Sequence, residues 1–220
     1  RRDMLLETHT EIVVSPEDDI ELRRVHINNR SRKKRILEIT SYTEVVLNAH
    51  IADELHPAFS NLFVQTEINE PRNAIICTRR PRSVDEQNPW MFHLMKVHNA
   101  DITNVSYETD RDLFIGRGNS IQDPKAINQA GVLSGSSGSV LDPIVSIQYR
   151  IVLEPYESAV IDMIYGIADT KDGCNFLIEK YQDRHLINRA LELAWTLSQV
   201  ILRQINASEA DAQLYARLAG

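Results

Sequence analysis

Hydrophobic and polar positions alternate along residues 15–47, SPEDDIELRRVHINNRSRKKRILEITSYTEVVL, in the two-residue rhythm of extended chain. Ile20 and Leu22 share one parity, and Val25 and Ile27 take the opposite one. A one-residue slip of that kind predicts a β-bulge around Arg23 and Arg24. Asn28-Asn29-Arg30-Ser31 then predicts a turn. The β-branched and aromatic residues from Ile36 to Leu47 predict a second strand, antiparallel to the first. Strands this long predict a large sandwich with a broad face.

The same alternation predicts further strands over residues 61–66, 74–79, 90–97, 102–108, 144–153 and 158–167, with Glu154-Pro155-Tyr156-Glu157 turning between the last two. Two stretches, 50–60 and 110–143, carry no strand pattern. The second holds Gly116-Arg117-Gly118-Asn119-Ser120 and the glycine-serine run from Leu133 to Ser139. Loops longer than about 15 residues inside a compact domain are usually functional or ordered by a partner surface. The rhythm changes at Ala168. Thr170 is placed to cap a helix through Tyr181, and Asp183 a longer one through Ile205. Ser208-Glu209-Ala210-Asp211 has the form of a capping box that opens a third helix, ending at Leu218. In the second helix Leu186, Ala190, Leu193, Ala194, Leu197, Val200 and Ile201 form a stripe that must pack on something. The fold class is therefore mainly β: a large antiparallel β-sandwich over residues 1–167, then a helical connector over 168–220.

Composition narrows the function classes. A net charge of −7 over 220 residues argues against a nucleic-acid partner, which needs a basic surface. The one basic cluster, Arg30-Ser31-Arg32-Lys33-Lys34-Arg35, falls in the predicted turn and reads first as a solvated device that protects a strand edge. Cys77 and Cys174 have no metal-ligand spacing around them. They read as free thiols of a reducing compartment, with a single disulfide as the alternative. No run of about 18 apolar residues is present to span a membrane. The opening Arg1-Arg2-Asp3-Met4 is no signal peptide and passes straight into patterned sequence, as expected of a fragment.

Candidate chemistry is sparse. The glycines at 116 and 118 lack the third glycine and the strand-turn-helix setting of a dinucleotide site. Leu133 to Ser139 lacks the lysine ending of a phosphate loop and reads as a flexible loop. His50, His56, His93 and His98, with Glu54, Glu67 and Glu70, are candidates for acid-base work of the sugar-epimerase kind, against the simpler reading of surface or hydrogen-bonded structural histidines. Asp110 with Asp112, and Asp18 with Asp19, show no more than solvated loop acids do. Trp90, Phe92 and Tyr107 offer flat rings for sugar stacking, and core packing is the competing reading for each. Arg79-Arg80-Pro81-Arg82-Ser83, followed by Pro89-Trp90, sets guanidinium groups beside an indole, a hint of a polar ligand or an interdomain contact.

Several segments share one resemblance. They are Glu7-Thr8-His9-Thr10-Glu11, residues 15–24, residues 37–47, His56-Pro57-Ala58-Phe59-Ser60, Arg79-Arg80-Pro81-Arg82-Ser83, Phe114-Ile115-Gly116-Arg117-Gly118, Leu133-Ser134-Gly135, Leu141-Asp142-Pro143-Ile144 and Glu192-Leu193-Ala194-Trp195. Together they resemble the phosphorylase-like part of the cyclic β-1,2-glucan synthetases, glycoside hydrolase family 94, formerly glycosyltransferase family 36. The resemblance implies a galactose-mutarotase-like β-supersandwich, a helical linker and then an (α/α)6 barrel. It places the catalytic Asp and the phosphate-binding residues in that barrel, so no catalytic residue is expected on this chain, and no cofactor or metal. The implied parent is a glycosyltransferase or glycoside phosphorylase anchored on the cytoplasmic side of the bacterial inner membrane, whose phosphorylase-like region sets glucan chain length. The expected partners of this domain are that barrel, β-1,2-glucan and a second copy of the chain, with open sheet edges favouring the last. The residues expected to contribute to a cleft or interface are Arg79, Arg80, Arg82 and Trp90, then Arg117 and Asn119. The competing readings are an aldose-1-epimerase-like enzyme on the same fold and a purely structural dimerisation domain.

Overall fold

A computed structural model of the chain describes residues 2–3, 5–81, 83, 86–128 and 131–219. Arg82, one of the residues expected at a site, lies outside them. Eleven strands run β1 (Arg2–Asp3), β2 (Leu6–Val14), β3 (Ile20–Asn29), β4 (Arg35–Thr40), β5 (Thr43–Glu44), β6 (Val64–Asn69), β7 (Ala74–Arg79), β8 (Trp90–His98), β9 (Asp101–Asp110), β10 (Pro143–Leu153) and β11 (Ser158–Ala168). Short helices α1 (His50–Leu55), α2 (Pro57–Asn61), α3 (Arg111–Ile115) and α4 (Lys125–Asn128) occupy the two stretches without strand pattern. The chain then closes with α5 (Lys171–Lys180), α6 (Arg184–Gln204) and α7 (Glu209–Ala219).

Seven strands form the larger antiparallel sheet, in the order β1-β2-β3-β11-β8-β7-β6. In the smaller sheet β10 is central, with β9 along one side and β4 and β5 end to end along the other. The main core lies between the sheets and includes Ile27, Ile75, Met95, Ile147, Tyr149 and Ile161. A second core lies on the outer face of the larger sheet, where Ile20, Leu22, Phe92, Leu94 and Ile164 meet Cys174, Ile178, Ile187 and Ala190 of α5 and α6. A third, small cluster of Phe114, Ile115 and Ile144, joined by Tyr42, Ala126 and Leu133, lays α3 and α4 against β10.

These layers correct the reading of β3. Its register is unbroken against both β2 and β11, so Arg23 and Arg24 form no bulge. The parity changes because the strand is buried on both faces. Ile20 and Leu22 face the helices, whereas Val25 and Ile27 face the other sheet. Irregular register falls instead in the β9–β10 pair. Nor do β3 and β4 form a hairpin. They belong to different sheets, and the intervening turn crosses between them. Buried Asn29 sets that crossing by donating from Nδ2 to the carbonyls of Lys33, Leu153 and Glu154, at 2.9, 3.3 and 2.9 Å. The predicted second strand also breaks at Ser41, whose hydroxyl accepts from the Ile147 N–H at 3.0 Å in place of a backbone carbonyl.

The helical caps form as predicted. The Thr170 hydroxyl accepts from Gly173 N–H at 3.0 Å and the Asp183 carboxylate from His185 N–H at 2.8 Å, while Ser208 and Asp211 exchange backbone bonds in a capping box. The predicted stripe on α6 is only partly used: Ala190 is buried and Leu186 half-buried, with Ile187 beside the stripe taking the deepest place, whereas Leu197, Val200 and Ile201 stand in solvent. Gly166 is needed where β11 passes under Phe92, since a Cβ there would lie 2.4 Å from the Phe92 ring. Cys77 and Cys174 are both free and buried. Among the described residues no helix is long and apolar enough to cross a membrane.

Candidate functional site

Three polar clusters hold the layers and loops together. The first sits beneath α6. Asp162, fully buried on β11, accepts from Arg24 Nε at 2.6 Å and from Nη2 at 3.0 Å, a bidentate pair. Arg24 Nη1 continues to Asn188 Oδ1 on α6 at 2.8 Å, and His98 Nε2 lies 3.2 Å from Asp162 Oδ2 in off-line geometry. Burial alone would raise the Asp162 pKa, but the nearby His98 ring, the two hydrogen bonds from Arg24 and the Arg24 charge outweigh it and hold the carboxyl below its usual range. Asp18 behaves alike. Burial opposes ionisation, and bonds from Lys180 Nζ (2.6 Å) and the Tyr181 hydroxyl (2.5 Å) win, pinning the β2–β3 turn to α5.

The second cluster orders the glycine-serine run that reads as flexible in sequence. Buried Glu108 accepts from the Ser134 and Ser136 hydroxyls and from the backbone N–H of Thr109 and Asp110, each of the latter at 2.9 Å. Gly135 N–H donates to Tyr107 O at 2.9 Å, and Gly138 exchanges both backbone bonds with Thr66 on β6, the strand at one end of the larger sheet. The segment is thus a clasp over a sheet edge.

The third cluster gathers the loops at one end of the sandwich. Asp142 accepts from Asn61 Nδ2 at 3.0 Å and from Arg111 at 3.4 Å, and Arg111 Nε reaches both the Tyr42 hydroxyl and Glu44 at 3.1 Å. The bond to Tyr42 raises the Arg111 pKa. Burial raises the Tyr42 pKa, and it raises that of Asp142 despite the nearby guanidinium. None of these residues was a site candidate in the sequence, because only the fold brings Tyr42, Arg111 and Asp142 together.

With this geometry in view, residues 1–184 match the family described as glycosyl hydrolase 94, supersandwich domain. The chain belongs to that family. The cyclic beta-(1,2)-glucan synthase NdvB of Rhizobium meliloti (strain 1021) is 34% identical over 214 residues, covering 97% of this chain. The chain spans only 8% of that relative's length. A solved putative kojibiose phosphorylase from human microbiome aligns over 94% of this chain and 20% of its own, at 11% identity and a TM-score of 0.36.

The supersandwich does not bring the residues singled out in its sequence to one place. Arg79 is 2% exposed and lies on the inner face of β7 with Ile75 and Cys77. Its guanidinium sits over the Phe63 ring and donates from Nη1 to Glu86 at 3.1 Å, while Nε and Nη2 have no partner among the described residues. Arg80 is exposed and shares the Phe63 ring. Trp90 pairs with Thr78 but belongs to the outer core, on the opposite face of the sheet from Arg79. Arg117 and Asn119 are exposed in the turn after α3, away from both.

The histidines are dispersed as well. His50 and His56 are exposed, and His98 belongs to the Asp162 cluster. His93 is fully buried, bonded to Ser41 and to the Ile164 carbonyl and stacked on Tyr165, and burial pushes its pKa down to about 4. That is a neutral core imidazole at physiological pH. Among the described residues no group of three His, Cys, Asp or Glu is arranged to hold a metal ion. A cleft of about 570 Å³ lies between the 15–19 turn and α5, lined by Glu17, Asp18, Asp19, Asp169 and Phe176 and by none of the arginines or Trp90 expected at a cleft or interface.

Proposed function

We propose that this supersandwich domain is a non-catalytic part of a cyclic β-1,2-glucan synthase, held on the cytoplasmic side of the bacterial inner membrane within a membrane-anchored enzyme. In this reading residues 1–167 are the sandwich, and 168–220 connect it to the (α/α)6 barrel that carries the chemistry. The outer part of α6 and α7 presents Trp195, Ile201, Ile205, Tyr215 and Leu218 to solvent. These exposed apolar side chains on a helix whose inner half is buried carry the proposal. The identity to NdvB over nearly the whole chain supports the assignment to a synthase.

The domain also contributes a loop to the glucan cleft or to a contact between two copies of the enzyme. Arg80 serves as the reaching side chain and Arg79 as its buried anchor, and Arg82 is expected to act with Arg80. Trp90 contributes by packing, and Arg117 and Asn119 form a separate exposed turn. An NMR titration with β-1,2-glucooligosaccharides of increasing length, with cellooligosaccharides as control, tests this. Length-dependent binding specific to the β-1,2 linkage, lost in Arg80→Ala/Arg82→Ala, is expected. Absence of binding at millimolar sugar removes the glucan contact and leaves the scaffold. Acceleration of glucose mutarotation by the 220-residue chain would overturn the non-catalytic assignment itself.

A further inference from the structure

Five cations fall within the six residues from Arg30 to Arg35, and the role of a solvated turn does not account for how they are held. The crossing between the sheets is a fixed frame. Asn29 is buried beneath it with its amide tied to three carbonyls. Ser31 is buried too, its hydroxyl 2.7 Å from Asn29 Oδ1 and accepting from Arg35 Nε at 3.4 Å. Two of the five cations are neutralised, Arg30 by Glu7 and Lys34 by Glu154 at 2.6 Å. Arg32, Lys33 and Arg35 have no carboxylate partner among the described residues.

These three line a cleft of about 470 Å³ whose far wall is Tyr156. Tyr156 adopts φ 65° in the turn closed by Glu157 N–H on Glu154 O at 3.2 Å. That position ordinarily takes glycine or asparagine, and a tyrosine there is strained. Its ring is exposed, and its hydroxyl accepts from Arg32 Nε at 3.3 Å, which leaves the phenolic proton free to donate into the cleft.

We propose that this cleft is an oxyanion site of phosphate type. Arg32 and Arg35 supply planar guanidinium donors, Lys33 a point charge and the Tyr156 hydroxyl a neutral donor. Three unneutralised positive charges on a rigid frame suit a doubly charged phosphoryl group. On a chain of net charge −7 they concentrate anions at one spot. The three cations gather around one cleft and do not extend into the long basic stripe that a nucleic-acid backbone needs. The phosphoryl group can come from free phosphate or from the head of a larger molecule such as a phospholipid, because the recognising chemistry is shared.

The test is a ¹⁵N NMR titration with inorganic phosphate, ionic strength being held constant with chloride. Saturable shifts at the amides of 31–35 and 156–157 are expected. Affinity should fall about tenfold or more in Arg32→Ala/Arg35→Ala, the loss expected for two charged donors. Tyr156→Phe, which keeps the ring and frame, should weaken binding roughly threefold through the lost hydroxyl bond. Linear shifts that chloride reproduces, or equal affinity in the variants, would overturn the proposal. Cosedimentation with phosphatidylcholine vesicles containing phosphatidic acid, absent with phosphatidylcholine alone and lost in the double variant, assigns the site to a lipid head. Saturable phosphate binding without cosedimentation assigns it to a soluble phosphoryl group.

Discussion

Along α6, Ile187 is 0% exposed against the larger sheet, whereas Trp195, two turns further on, is 67% exposed, and Val200 and Ile201 further along are in solvent too. Both halves carry the same apolar periodicity. The inner half is anchored by Asn188 on the Arg24–Asp162 pair, and just before it Lys96 Nζ reaches the Gln182 carbonyl at 2.9 Å. The outer half has no such tie among the described residues. Periodicity shows that a helix has a face, and the fold decides whether anything covers it.

The inner half of α6 depends most heavily on Asp162. Asp162→Ala strands Arg24 in the outer core and should cost about 3–5 kcal/mol, measured by urea denaturation. Replacing the pair together, Arg24→Met/Asp162→Leu, should cost much less, because no buried charge is left alone. Next comes the direct contrast between the halves. Ile187→Ala should cost about 2–5 kcal/mol, and Ile201→Ala should stay within about 0.5 kcal/mol in the 220-residue chain. Similar losses at both positions would mean that the outer half is packed in solution.

Acid should loosen the sheets on which the inner half rests. His93 has its folded pKa near 4 against 6.5 unfolded, so above pH 6.5 neither state holds the proton. Between pH 6.5 and about 4 only the unfolded chain takes it up. Stability therefore falls through that window, by on the order of 3 kcal/mol, and this group adds no further loss below it. Asp18 and Asp162, with depressed folded pKa values, contribute stability that is present above the unfolded carboxyl pKa and lost as pH falls through their folded values. His93→Gln should remove the upper part of the acid dependence and leave the lower part, as read from thermal melts across pH. The smallest contrast lies in the caps. Thr170→Ala should cost about 1 kcal/mol because α5 is part of the outer core, while Ser208→Ala should reduce the helical circular dichroism of α7 without moving the global melt.

What was legible in the sequence was local. β7 begins and ends where its candidate strand over residues 74–79 does, and the caps at Thr170, Asp183 and Ser208 need only neighbours within three residues. The β3–β4 hairpin was misread because pairing is not local. β3 lies beside β11, far along the chain, and two flanking layers imitate a bulge in its pattern. At the candidate site, Arg79 and Trp90 are close in sequence yet occupy opposite faces of one sheet, a consequence of strand register that spacing does not show. Glu108 gave no signal, since its meaning depends on Ser134 and Ser136 folding back onto it.

If the outer part of α6 and α7 form a docking face for the remainder of a larger synthase, as we propose, that face is covered only in the whole enzyme. Hydrogen exchange across residues 195–218 tests it most directly, compared between this 220-residue chain and the full-length enzyme. Fast exchange in the isolated chain and strong protection in the whole enzyme is the predicted result. Equal exchange in both, whether fast or slow, would contradict it.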